Sequence, residues 1–166
     1  MAEDETPTLV TREFARQRGV WSNPRTAPPI GLTEIRRWAI AVYWPTHPPR
    51  IFWDQDYALG TRYGGVIAPW DFNPFAWPLE RPPLPPGFGS MNQDAPSGQR
   101  LLNGGYTDRF GAPMRPGDSI TEISALISWE ERKTSLGLTL FSHFEYRWTN
   151  QNNRLVKERT KTFVRY

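Results

Sequence analysis

The clearest pattern in the chain is an alternation of period two in its last third. Leu136, Leu138, Leu140, Ser142, Phe144, Tyr146 and Trp148 fall on one side of an extended segment, which predicts a long strand with one largely apolar face. Ile123, Ala125, Ile127 and Trp129 alternate in the same way and predict the strand before it. A final strand is expected over 155–166, with Val156, Thr160, Thr162, Val164 and Tyr166 on one face. The basic residues of that strand (Lys157, Arg159, Lys161 and Arg165) read as its solvated face. Arg115-Pro116-Gly117-Asp118 marks a tight turn ahead of these strands, and the asparagine-rich stretch 150–153 marks one between the last two.

The first half has a different rhythm. Ile35, Trp38, Ala39 and Val42 recur at helical spacing, with Arg36 and Arg37 turned outward. Thr33 is the expected N-cap and Glu34 suits the first turn. Pro45 ends that helix, because its ring cannot follow helical backbone without strain. Residues 1–12 read as a mobile tail, 13–17 as a short helix and 23–30 as a proline-punctuated loop. Asp54 is placed to cap a second short helix through Tyr57 and Ala58. Tyr63-Gly64-Gly65 then leads into Val66-Ile67-Ala68, which opens a strand. Residues 73–100, dense in proline, read as one long irregular loop. Helices followed by a meander of antiparallel strands make an α+β fold. The division expected is 1–30 as N-terminal tail and extension and 31–166 as one domain.

Composition narrows the function classes. The 166 residues carry a net charge of only +3, with the basic groups spread along the chain. A nucleic-acid footprint clusters them on one face, so no nucleic-acid partner is expected. There is no cysteine, which excludes disulfides and thiol nucleophiles. The two histidines, His47 and His143, are far apart in sequence and give no metal site. No apolar run approaches the ~18 residues that cross a bilayer, and the acidic start MAEDETPTLV is unlike a secretion signal. The expectation is a cytoplasmic protein with no membrane partner. Seventeen prolines beside eight tryptophans argue for ordered loops pinned by ring packing, since disordered segments are poor in aromatics.

Several blocks in order carry a resemblance: IRRWA (35–39), FWDQDYA (52–58), RYGGVIAP (62–69), LNGG (102–105), RPGD (115–118) and the closing NQNNRLVKERTKTFVRY. Together, over 32–166, they resemble the N-terminal-type MaoC-like dehydratase domain, also called the FAS1-like dehydratase domain. The resemblance implies a hotdog fold, in which a long antiparallel β-sheet wraps a central α-helix, with 35–42 the candidate for that helix. It implies that hotdogs work in pairs, so a second hotdog subunit is the expected partner. It also implies reversible addition of water to an acyl thioester carried on coenzyme A or acyl carrier protein, with no further cofactor. In many such pairs one hotdog keeps the catalytic residues and the other, often of this type, widens the acyl tunnel.

Hydration of a 2-enoyl thioester needs a carboxylate and an imidazole to activate one water, and amide N–H groups for the thioester oxygen. In catalytic relatives an Asp and a His sit five apart in a D-x-N-P-x-H type loop. Here the loop reads YWPTHPPRIFWD, and the position five before His47 is Val42. Three readings stand: His47 with Asp54 or Asp56 forms a displaced dyad, His47 is an exposed loop residue and Asp54 an N-cap, or His47 contacts a partner subunit. His143 reads as a satisfied sheet histidine. Gly64-Gly65 and Gly104-Gly105 permit close approach of a pantetheine arm, with Arg62 and Asn103 beside them to contact a phosphate or amide; alternatively they bend curved strands. Trp70, Phe72, Phe75 and Trp77 are expected at a subunit interface rather than a substrate wall. The function classes are a non-catalytic or weakly catalytic dehydratase subunit, a self-sufficient homodimeric hydratase using His47, an acyl-thioester binding protein without turnover, and a thioesterase, for which only Glu34 offers a helix carboxylate.

Overall fold

A computed structural model of the chain describes residues 8–76, 94–96 and 98–166. Its frame is a five-stranded antiparallel sheet in the order β1-β3-β4-β5-β2. The strands are β1 (Arg25–Thr26), β2 (Leu101–Phe110), β3 (Thr121–Thr134), β4 (Gly137–Thr149) and β5 (Leu155–Arg165). Ahead of β2 come α1 (Arg12–Arg16), α2 (Leu32–Tyr43), a 3-10 turn (Arg50–Phe52) and α3 (Gln55–Leu59). Trp77 and most of the proline-rich loop expected at 73–100 lie outside the described residues.

In β4 the row Leu140, Ser142, Phe144 and Trp148 is buried, although Thr139 on the opposite face is buried too and Leu136 lies exposed in the turn before the strand. Its neighbours depart from simple alternation at two bulges. On β3, Leu126 pairs with Phe144 and Ser128 with His143, so Ile127 is an extra residue. A bulge moves the following side chains to the other face. Ile123 and Ala125 therefore do not share a face with Trp129, which lies with Leu126 above the β4 row. On β5, Thr149 pairs with Leu155 but Trp148 with Lys157, leaving Val156 as the bulge. This turns Lys157, Arg159, Lys161 and Arg165 to the inner face, opposite Trp148, Tyr146, Phe144 and Leu140. The expectation of a solvated basic face is thus reversed, and Lys157 and Arg165 are buried.

Two apolar clusters cover the inner face. Ile35 and Ala39 of α2, both fully buried, pack with Phe52, Ile67, Phe72, Met114, Trp148 and Val156. Farther along, Phe14 packs on Leu126, Leu140 and Phe144. Residues 8–12, expected as part of a mobile tail, are tied to the sheet. The Leu9 N–H and the Thr8 hydroxyl both donate to the Glu131 carboxylate (2.6 and 2.7 Å), and Arg165 donates to the Leu9 carbonyl.

Local details adjust other expectations. The N-cap of α2 is Gly31, not Thr33, and its N–H donates to Glu34 at 2.7 Å. Val42 is exposed rather than packed. Residues 66–68 are buried but form no strand; Ala68 N–H instead donates to the Met114 carbonyl at 2.8 Å. Phe72 is buried against Trp38, and Phe75 packs edge-on to Trp148, so these two rings serve the chain's own core instead of an interface.

Candidate functional site

The turns of α2 carry three different faces, because successive residues are 100° apart. Ile35 and Ala39 point into the core. Glu34, Arg37, Trp38 and Ala41 border a chamber of about 610 Å³, closed on its other sides by Pro28, Ile30 and the start of the aromatic loop at Phe72. Arg36 and Ile40, one turn apart, border a smaller notch of about 300 Å³ with His47, Pro48 and Trp53. The sequence pattern placed Arg36 outward and gave Ile40 no role. An isoleucine on the solvent side of a helix, four residues after an arginine, was the only signal of the notch.

His47 is exposed in the loop between α2 and the 3-10 turn, stiffened by prolines on both sides. Opposite it, Trp53 is pinned from two directions. Its indole N–H donates to the Pro48 carbonyl (3.0 Å), and its own carbonyl accepts from Arg36 Nε and Nη2 (3.2 and 2.8 Å). Among the described residues His47 makes no hydrogen bond. Asp54 is committed elsewhere. As N-cap of α3 its Oδ1 accepts from the Tyr57 N–H at 3.0 Å, and its Oδ2 from Arg50 Nε and Nη2 at 2.9 and 2.6 Å. The Tyr57 N–H first, and then Arg50, hold its carboxyl below the usual carboxylate range. The structure does not bring His47 and Asp54 into a hydrogen bond.

Each glycine pair has a local structural duty. Gly64 and Gly65 adopt φ of +61° and +153°, and Arg115 steadies this turn by donating to the Tyr63 carbonyl at 2.5 Å. Arg62 folds back to donate to the Tyr63 hydroxyl at 2.6 Å. Gly104 and Gly105 occupy the irregularity in the β2–β5 register between Asn103 and Tyr106. Asn103 accepts from the Gly105 N–H at 3.2 Å. A Cβ on Gly104 would meet Val164 and Thr162 side chains at 2.9 and 3.0 Å, whereas one on Gly64 or Gly105 would meet open space. His143 is bonded through Nδ1 to the Thr162 hydroxyl at 2.9 Å, the satisfied sheet position anticipated for it.

The inner face of the sheet holds charge that the sequence pattern placed in solvent. Arg159 forks onto Asp108 at 2.6 and 2.7 Å beneath the Tyr106 ring. Burial first, and then Glu122, push the Tyr146 phenol up to about 12. Lys157 lies 4.3 Å from the Trp148 ring, and burial pushes its ammonium down to about 8. Among the described residues no cluster of three or more His, Asp or Glu side chains is placed to hold a metal ion. Nor is any helix among them long and apolar enough to cross a membrane.

Residues 16–159 match the family described as the FAS1-like, dehydratase domain region. No curated protein matches the chain. Among solved structures, the ChsH1–ChsH2 complex from Mycobacterium tuberculosis is similar with a TM-score of 0.66 and 16% identity, over 92% of each chain. The C-terminally truncated HadBC (3R-hydroxyacyl-ACP dehydratase) complex from the same organism gives 0.62 and 18%, over 89% of this chain and 96% of that one. The MaoC-like dehydratase from Rhodospirillum rubrum gives 0.58 and 14%, over 87% and 90%. At these identities the likeness is one of fold, and the fold is the hotdog.

Proposed function

Because the chain belongs to the FAS1-like dehydratase family, we propose that it is one hotdog subunit of an acyl-thioester dehydratase or 2-enoyl-CoA hydratase. In this reading it is the non-catalytic or weakly catalytic hotdog, shaping the acyl tunnel for a partner that carries the Asp and His. The reaction adds hydroxyl to the β carbon and a proton to the α carbon of the enoyl thioester, or reverses that step. The observation that carries the reading is Asp54. A carboxylate that caps a helix, pairs with Arg50 and has a lowered pKa is a weaker proton acceptor at neutral pH. The chamber beside α2 supports an acyl ligand: its size falls within the range of small-molecule sites, and Ile30, Trp38 and Phe72 give it apolar walls. Gly64 and Gly105, whose missing Cβ atoms leave open space, suit close approach of a pantetheine arm. The fold neighbours that are two-chain complexes support a second hotdog as the partner.

One observation favours a second reading, in which a homodimer uses His47: that imidazole lines the notch with no competing hydrogen bond. Hydration of a panel of 2-enoyl-CoA chain lengths separates the two. The chain alone is expected to be silent, and turnover is expected once a hotdog bearing the Asp and His is added. Turnover by the chain alone that disappears in His47→Ala would overturn the first reading. Thioester binding without turnover in either setting would make the chain a binding protein.

A further inference from the structure

The notch between α2 and the 3-10 turn is built from parts that the non-catalytic subunit reading leaves unused. Its lining includes Trp53, 38% exposed, and Ile40, 55% exposed. Pro48 and His47 close the end. Trp53 is fixed before any ligand arrives, by its bond to Pro48 and by Arg36 on its carbonyl, so little ordering entropy remains to be lost. Arg36 spends its Nε and one Nη2 hydrogen there, which leaves the Nη1 donors at the rim. Asp54, next to Trp53 in the chain, is already paired with Arg50.

A notch of about 300 Å³ lined by an indole, an isoleucine and a guanidinium fits a planar base bearing phosphate. Stacking of a base on an aromatic side chain contributes about 1–3 kcal/mol, and a guanidinium–phosphate contact is charge-assisted. We infer that this notch binds a phosphorylated purine, the nucleotide end of coenzyme A. The inference rests on the acyl-thioester reading and deepens it, because it assigns the carrier: an acyl carrier protein presents phosphopantetheine but no purine.

The test is calorimetric titration of the full chain with adenosine 3′,5′-bisphosphate, with 4′-phosphopantetheine as the second arm. The bisphosphate is expected to bind, and to bind less well as salt is raised. Ile40→Glu places a negative charge at an exposed wall, and Arg36→Gln removes the rim cation; each is expected to weaken binding roughly tenfold. Ile40→Glu should leave the melting temperature unchanged, which separates loss of site from loss of fold. Failure of the bisphosphate to bind, or equal binding by both variants, overturns the inference, as does binding of phosphopantetheine alone. A titration with 2-enoyl-CoA tells the two proposals apart. Thioester binding that neither variant disturbs removes the notch and leaves the subunit reading standing, whereas no thioester binding at all removes both.

Discussion

At Lys157 a single inserted residue, Val156, turns an ammonium inward between the rings of Trp148 and Phe110. Burial is the main cause of its lowered pKa; Asp108 and Asp71 act to raise it and Arg159 to lower it. The folded state therefore binds this proton less tightly than the unfolded chain does. The penalty is full below pH 8 and fades as pH rises through 8 toward the ordinary lysine value of 10.5. The shift corresponds to about 3 kcal/mol, partly offset by the cation–π contacts. Lys157→Met should thus raise the melting temperature by about 4 °C at pH 7, with the gain shrinking at pH 10. Thermal melts at the two values check it, and a loss of stability at pH 7 contradicts it. For Asp54, which caps α3 and holds Arg50, Asp54→Ala should lower the melting temperature by about 2 °C. It should not abolish thioester binding. At this scale His47, Asp54 and both glycine pairs were visible in the sequence as residue types. The notch around His47 was not, because Trp53 and Ile40 meet only through the fold.

Among the elements, β4 was legible because its period of two runs unbroken from Leu138 to Trp148. The strands on either side were read on the wrong face in part, since a bulge leaves no mark in a run such as Ser-Ala-Leu-Ile-Ser or Leu-Val-Lys. Charged residues can also be drawn inward when paired, as the half-buried Arg159 is with Asp108, and a rule that sends charge to solvent then fails. The capped start of α3 and the proline stop of α2 were readable because both depend on local chemistry alone. Gly111, just past β2, was overlooked. Its N–H donates to the Val156 carbonyl at 2.9 Å, and a Cβ there would sit 2.3 Å from the Leu155 carbonyl oxygen. Gly111→Ala should therefore cost about 3 kcal/mol, well beyond the ~1 kcal/mol expected of Gly105→Ala, where only backbone strain opposes the side chain. Chemical denaturation of the two variants tests the order, and the reverse order would show that β2 can move aside.

For the molecule as a whole, the two edges of the sheet differ. Residues 19 and 22 donate backbone bonds to β3 and residue 27 donates to Ile120 just before it, while β2 at the other edge pairs only with β5 among the described residues. The extension also supplies Phe14, 3% exposed, to the far cluster. Phe14→Ala should cost about 3 kcal/mol and lower the melting temperature by about 8 °C. A change below 2 °C would mean that the extension rests on the sheet without supporting it. The Arg165–Leu9 contact closes almost the full length of the chain. During synthesis the residues around Leu9 leave the ribosome well before strand β5, yet one of their contacts is with that strand. Their bonds to Glu131 can form once β3 has been made, whereas the contact with Arg165 waits until β5 has cleared the exit. A stretch made long before the last strand is thus fully seated only after that strand exists.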